Sequence, residues 1–238
     1  MVKIQAPKRF MIHNKWLLLT RSLRIWTVIK YKKLSRLWEP NSNDYVKFAI
    51  LCTPRTGSTW LHTLLNSHPQ IHSLGEVIYE GQSNRPTLEE IYRPQPKSIL
   101  AVGFKLFYGI THEGYQKLTQ DVLEDPTIRL IHLIRRDIGA QLKSYRIAEK
   151  GKVWSQTGKT TQEAQQAISE KELAQFSQNL QLARKRIKEE VSSHSQAYLP
   201  IAYEDLVEQQ EATTRKIMAF LEVRRRTLYS LLTRQSSS

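Results

Sequence analysis

One stretch limits this chain more than any other: a short apolar run that enters a glycine-bearing turn and leaves it as a helix. Tyr45-Val46-Lys47-Phe48-Ala49-Ile50-Leu51-Cys52 is β-prone and apolar, which predicts a buried strand. Thr53-Pro54-Arg55-Thr56-Gly57 reads as a turn, and Ser58 to Asn66 as a helix stopped by His68-Pro69. The same grammar recurs downstream. Further strands are expected at Ile99–Phe107, Ile128–Ile134 and Tyr198–Tyr203, and helices at Gly114–Leu123, Ile138–Glu149, Gln162–Val191 and Asp205–Leu221. The longest helix is marked by Leu173, Phe176, Leu180, Ala183, Ile187 and Val191, spaced by three and four. Strands alternating with helices predict an α/β fold, a parallel β-sheet flanked by helices.

The first loop also carries chemistry. A helix start offers free backbone N–H groups and the positive end of the helix dipole, a natural anion site. Ser58 and Thr59 add hydroxyls, and the fork of Arg55 fits a phosphate or sulfate. The plainer alternative is a strand–turn–helix junction in which Ser58 merely caps the helix. A nucleotide-hydrolysing loop of the form G-x-x-x-x-G-K-[ST] is absent: Arg55-Thr56-Gly57 lacks the lysine, and Gly158-Lys159-Thr160 has Val153 where the first glycine belongs. His68 and His72 have the spacing of a helical zinc pair, but Pro69 disfavours helix there, so no metal is expected.

Charge points to the partner's sign. The 238 residues carry a formal net charge of +14, which favours an anionic partner. Ten Lys/Arg and no Asp/Glu fall in residues 1–38, so the rest of the chain holds only +4 and is not a nucleic-acid binder by bulk charge. Residues 1–40 form a basic leader. Trp16, Leu19, Leu23, Trp26, Leu34 and Leu37 recur at helical spacing, with Lys30 and Lys33 intruding. Three readings stand: a helix packed on the domain, a peripheral membrane-surface helix, or a frayed segment. Trp16-Leu17-Leu18-Leu19 is far short of the ~20 apolar residues that span a bilayer, and no secretory h-region is present. One cysteine, Cys52, excludes an intrachain disulfide framework and fits a reducing, cytoplasmic setting.

At three places the sequence resembles a known family. Pro54-Arg55-Thr56-Gly57-Ser58-Thr59-Trp60-Leu61 is similar to the 5′-phosphosulfate loop of sulfotransferases that use 3′-phosphoadenosine 5′-phosphosulfate (PAPS). The cytosolic branch writes that loop P-K-S-G-T-T-W, and many bacterial and carbohydrate-acting members put Arg at the Lys position. Ile131-His132-Leu133-Ile134-Arg135-Arg136-Asp137 with Ser144 resembles the 3′-phosphate element, Arg136 and Ser144 having the family separation. Tyr203-Glu204-Asp205-Leu206 resembles the family's Y-E-D-L segment. Leu65-Asn66-Ser67-His68-Pro69 and Gly75-Glu76 are closest in style to bacterial, nodulation-type members.

The resemblance implies a P-loop-like sulfotransferase fold over residues 41–238, and sulfuryl transfer from PAPS to an acceptor hydroxyl, on a carbohydrate or glycolipid, without metal. It implies Arg55 as the catalytic cation. It gives Thr56, Gly57, Ser58, Thr59 and Trp60 to the 5′ end of the donor, Arg136 and Ser144 to its 3′-phosphate, and Tyr203 to the adenine. Glu76 is the candidate base, with a surface or capping carboxylate as the alternative. Lys105, ionisable within an apolar strand, either faces the site or reaches solvent. His72, His112 and Trp154 are weaker candidates for base or acceptor wall. The cytosolic R-K-G segment has no match; Arg224-Arg225-Arg226 is either a phosphate contact or a solvated basic run. The chain stops soon after Thr233-Arg234-Gln235, where nodulation-type relatives continue, leaving open a truncated end or a different C-terminal wall. Rival readings are a non-catalytic nucleotide-binding module and a membrane-surface scaffold.

Overall fold

A computed structural model of the chain describes residues 8–78, 85–151, 168–194, 196–230 and 232. In order they form α1 (Lys8–Trp38), β1 (Asn41–Ser42), β2 (Val46–Cys52), α2 (Ser58–Asn66), β3 (Ile71–Glu76), α3 (Leu88–Ile91), β4 (Gln95–Pro96) and β5 (Ala101–Phe107). Then follow α4 (Glu113–Glu124), β6 (Ile128–Ile134), α5 (Ile138–Gly151), α6 (Glu170–Ser193), β7 (Tyr198–Ala202), α7 (Tyr203–Glu208) and α8 (Gln210–Phe220). Five strands make one sheet in the order β3-β5-β2-β6-β7, and every pairing in it is parallel.

The sheet is covered on both faces, and β2 shows how its sequence achieves that. Phe48, Ile50 and Cys52 enter one core with Leu61, Leu64 and Leu65 of α2 and Ile217 and Met218 of α8. Ala49 and Leu51 enter the other, with Leu118 and Val122 of α4 and Ile187 and Val191 of α6. The period of two is present, yet both phases are apolar because both are buried. Truncating Phe48, which is fully buried, to alanine is expected to lower the unfolding free energy by about 3–5 kcal/mol in a denaturant titration. Connections from β2 turn one way to β3, and β6 lies on the other side, so the strand order diverges at β2. In open parallel sheets, such a point opens a crevice at the carboxyl ends of the strands.

Three expectations need correction. Asp205–Leu221 is two helices, α7 and α8, separated at Gln209, whose φ of −127° leaves the helical region. Edge strand β3 was unmarked in the sequence: its inward positions are Ile71, Ser73 and Gly75, only one of them a large apolar side chain. The turn-rich Pro40-Asn41-Ser42-Asn43-Asp44, which by composition reads as a linker, instead carries β1, which pairs antiparallel with β4. Trp154, the side chains of Trp16 and Leu19, and the start of the predicted Gln162–Val191 helix lie outside the described residues.

The leader is a helix that packs on the domain, but not through the expected stripe. Val28 and Ser35 are buried while Leu23, Trp26, Leu34 and Leu37 are exposed. Lys32, on the buried face, donates to Asn66 O at 2.9 Å and Ile71 O at 2.5 Å. A cation at the carboxyl end of α2 meets that helix's unpaired carbonyls and the negative end of its dipole. Burial, assisted by Arg36, pulls the Lys32 pKa down to about 7. Among the described residues no helix is long and apolar enough to cross a membrane.

Beneath α6 runs a buried polar chain. The Tyr108 hydroxyl lies 2.7 Å from His132 Nε2, and the Tyr198 hydroxyl 2.5 Å from His132 Nδ1. Burial, reinforced by Arg184, lowers the His132 pKa from 6.5 to about 4. Between those two values the unfolded chain takes up a proton that the folded chain refuses. His132 therefore adds stability fully present above pH 6.5, and that contribution is lost as pH falls towards 4. The loss is expected to be on the order of 3 kcal/mol. Thermal melts across this window read it; His132→Gln should be less stable at neutral pH and show a shallower pH slope.

Candidate active site

The carboxyl ends of all five strands converge on one rim. The loop from Thr53 to Gly57 leaves β2, Arg135 and Arg136 follow β6, Tyr203 follows β7, Glu76 ends β3, and Lys105 lies near the end of β5. The β2 loop is closed by its own side chains, since Thr56 Oγ1 donates to Thr53 O at 2.9 Å. Gln141, fully buried on α5, braces it from below by donating to Thr53 Oγ1 at 3.0 Å and Pro54 O at 2.8 Å. Two residues of the loop have left-handed backbone: Arg55, with φ of 67°, and Gly57, with φ of 84°. Gly57 also meets Tyr203: a Cβ on Gly57 would lie 2.4 Å from Tyr203 Cδ2. Glycine is thus required there by backbone conformation and by contact together.

The helix cap differs from the expectation. Gly57, not Ser58, is the N-cap of α2, and no side chain caps it. Ser58 and Thr56 are buried and both hydrogen-bond the Cys52 thiol, whose pKa burial raises to about 11. Of the three hydroxyls in this stretch, only that of Thr59 belongs to an exposed residue. The first-turn backbone N–H groups of α2 have no partner within the helix and no side-chain cap at Gly57, and such groups are the donors that an anion would take.

Arg55 Nε donates to Ser144 Oγ at 2.9 Å, so residues expected at opposite ends of a ligand are direct neighbours. Burial, and then the adjacent Arg135, lower the Arg55 pKa from its ordinary value, although a guanidinium stays charged at any physiological pH. Arg135 Nη1 donates to Arg55 O at 3.3 Å, and its guanidinium lies 4.8 Å from the Tyr203 ring centre. Its Nε is buried without a hydrogen-bond partner among the described residues. Two arginines side by side, one with an orphaned buried donor, are a charge arrangement completed by an anion.

Arg136 points elsewhere. Its Nη2 pairs with Asp205 Oδ1 at 2.5 Å, its Nε lies 3.6 Å from Glu204 Oε2, and its side chain is 55% exposed. Trp60 is buried and meets Tyr203 edge-on, ring centres 6.2 Å apart. Both aromatic rings therefore back the loop. Arg224 sits at the far end of α2: His68 Nε2 lies 2.8 Å from its carbonyl, and its N–H donates to Gln70 Oε1 at 3.0 Å. The Arg224–Arg226 run is accordingly remote from the β2 loop.

On the other side of α2, Lys105 and Glu76 form an ion pair of 2.5 Å, Lys105 nearly buried and Glu76 37% exposed at the side chain. They are register partners across β5 and β3, brought into line by an irregularity between Ser73 and Glu76. Lys105 Nζ also donates to Thr59 Oγ1 at 3.2 Å. Lys105 therefore does not reach for solvent; it ties the carboxylate to the start of α2. His62, which the sequence reading passed over, lies on the same helix with Nδ1 2.7 Å from Ser73 Oγ. Burial, Lys105, His72 and Lys32 lower its pKa to about 4, against an opposing effect of Glu76. His72 instead meets Gln95 at the opposite end of β3, and His112 caps α4 by accepting from Gly114 N. No group of three or more His, Cys, Asp or Glu able to hold a metal occurs among the described residues.

Paired guanidinium groups, the start of a helix and a partly exposed carboxylate stand together at the carboxyl end of a parallel sheet, an arrangement whose chemistry suits a phosphate- or sulfate-bearing group. Residues 46–236 match the family described as the sulfotransferase domain, and the chain belongs to that family. It is similar to Nodulation protein H of Rhizobium meliloti (strain 1021), with 28% identity over 123 residues, 45% of this chain and 49% of that protein. Nodulation protein H of Rhizobium tropici is 34% identical over 73 residues, 25% of this chain and 29% of the relative. The matched regions thus span about half, or less, of these relatives' length. In fold, the chain is similar to a sulfotransferase from Alicyclobacillus acidocaldarius, at a TM-score of 0.50 and 14% identity, over 80% of this chain and 86% of that one.

Proposed function

We propose that the chain transfers a sulfuryl group from PAPS to a hydroxyl on a carbohydrate or glycolipid acceptor. The observation that carries this reading is the arginine pair at the start of α2, where the buried Arg135 Nε has no hydrogen-bond partner among the described residues. The residues present suit a bisphosphorylated, sulfated nucleotide: cations, N–H groups and a partly exposed carboxylate, with Tyr203 and Trp60 behind them. Bound there, PAPS supplies an activated sulfuryl group on a phosphate–sulfate anhydride.

Arg55 stabilises negative charge on the bridging oxygen as its bond to sulfur breaks, which is the role of a preorganised donor aimed at developing charge. The N–H groups of Thr56, Gly57, Ser58 and Thr59 hold the 5′-phosphate and sulfate oxygens. Ser144, already bonded to Arg55, and Arg135 extend the cationic surface towards the 3′-phosphate; Arg136 joins them once it exchanges Asp205 for phosphate. Glu76 takes the acceptor proton as the acceptor oxygen bonds to sulfur, and adenosine 3′,5′-bisphosphate leaves. Lys105 fixes the Glu76 carboxylate and holds Thr59 beside it. Glu76→Gln is nearly isosteric and cannot take the proton, so turnover should fall by about 10²–10⁴-fold while donor binding holds. Steady-state transfer alongside calorimetric titration of adenosine 3′,5′-bisphosphate reads both quantities; unchanged turnover removes Glu76 from the base role.

A further inference from the structure

Packing leaves on α1 a face that nothing in the described chain covers. Leu23, Trp26, Leu34 and Leu37 lie opposite the buried Val28 and Ser35 and the inward-turned Lys32, and Trp38 flanks them. Leu37 is 80% exposed, Leu23 62% and Trp38 60%. Scattered exposed leucines need no explanation, but large apolar side chains gathered on one helix face do.

The charge on and around this face identifies its partner. Residues 1–38 contain ten Lys/Arg and no acid. Lys30 and Lys33 fall on the apolar face itself, Lys30 Nζ lying 3.7 Å from the Trp26 ring centre. Such lysines lay their methylenes along apolar surface while their ammonium groups reach outward to an anionic layer. The flank of α1 between its exposed and buried faces, through Thr27, Val28 and Tyr31, borders a cavity of about 610 Å³ whose wall also holds Arg224, Arg225 and Arg226. Arg224–Arg226, which the catalytic rim does not use, thereby become the basic border of the apolar face.

We propose that this face of α1, with the Arg224–Arg226 border, docks the protein on an anionic lipid surface. The leucines and tryptophans enter the headgroup–acyl boundary, and the Lys and Arg side chains meet lipid phosphates. A second copy of the chain fits poorly, because a two-fold pairing would set like-charged, acid-free helices against each other. Nucleic acid would leave the leucines without a role. Lys32 anchors α1 at Asn66 and Ile71, the end of the sheet opposite the β2 loop, so docking leaves the catalytic rim open.

The test is co-sedimentation of the full chain with vesicles of phosphatidylcholine mixed with phosphatidylglycerol, against phosphatidylcholine alone. The proposal expects several-fold greater binding to the anionic vesicles, weakened by high salt. The double variant Leu34→Glu/Leu37→Glu changes only exposed side chains and should lose that binding, with far-ultraviolet circular dichroism and transfer to a soluble acceptor unchanged. Arg224→Ala/Arg225→Ala/Arg226→Ala should bind anionic vesicles several-fold more weakly. Equal partitioning of the native chain and the Leu34/Leu37 variant overturns the proposal, as does equal binding to both vesicle types. A stable dimer in sedimentation equilibrium that the same double variant dissolves also overturns it, in favour of a second copy. None of these outcomes bears on the sulfuryl-transfer reading.

Discussion

Replacing Arg55 by alanine is expected to lower sulfuryl transfer by about 10²–10³-fold, the usual consequence of removing one preorganised donor from developing negative charge. The fold should survive. Arg55 belongs to the rim rather than either hydrophobic core, and alanine meets the left-handed backbone at that position on terms similar to arginine. Loss of the guanidinium removes the bond to Ser144 and relieves the like-charge contact with Arg135 that, after burial, lowers the Arg55 pKa. The melting temperature is therefore expected to hold or rise slightly while turnover collapses. Arg55→Lys retains charge without the fork and should fall between the two. Steady-state kinetics at saturating donor, with thermal melts on the same samples, separate a catalytic loss from a folding one. Native-like turnover in Arg55→Ala would remove this residue from the mechanism.

The second large effect is expected from a single methyl group. Gly57→Ala forces a Cβ to within 2.4 Å of the Tyr203 ring and puts a side chain at a φ of 84°, a backbone region that costs non-glycine residues about 1–2 kcal/mol. Either Tyr203 moves or the loop does. Both lie at the α2 start, so binding of adenosine 3′,5′-bisphosphate should weaken by more than about tenfold. Combining Gly57→Ala with Tyr203→Ala removes the contact but not the backbone strain, so the double variant should recover part of the binding. Calorimetric titration of the bisphosphate against the native chain, Gly57→Ala and the double variant measures this. Native affinity in Gly57→Ala would mean that the loop geometry does not set the donor site.

Much of this architecture could be read from residue order because its signals are local. β2, α2 and β6 announce themselves by apolar runs and by Gly and Pro at their ends, and a strand, turn and helix in succession place Arg55 at an anion-binding terminus. What could not be read depends on contacts distant in sequence. β3 escaped notice because an edge strand with Ser73 and Gly75 facing inward carries no apolar stripe. The buried face of α1 was misassigned because Lys32 turns inward to the carbonyls of Asn66 in α2 and Ile71 in β3 while leucines stay outside, the reverse of the pattern that hydrophobicity alone predicts. In the Arg135-Arg136 pair, sequence spacing favours Arg136, but Asp205 and Glu204 draw that side chain outward and leave Arg135 at the loop. Gln141 was hidden for the same reason. Its place on the Ser144 helix was visible, but the loop carbonyl it supports was not.

The proposed function requires the arginine-bearing loop to pass a sulfuryl group from PAPS to a hydroxyl. The most direct measurement incubates the full chain with sulfur-labelled PAPS and a panel of sugars and glycolipids, beside Arg55→Ala, and follows label into each acceptor together with release of adenosine 3′,5′-bisphosphate. The prediction is labelled acceptor and bisphosphate in equal amounts from the native chain, and nearly none from Arg55→Ala. Tight bisphosphate binding with no label in any sugar, lipid or phenol, or equal labelling by both proteins, would contradict it.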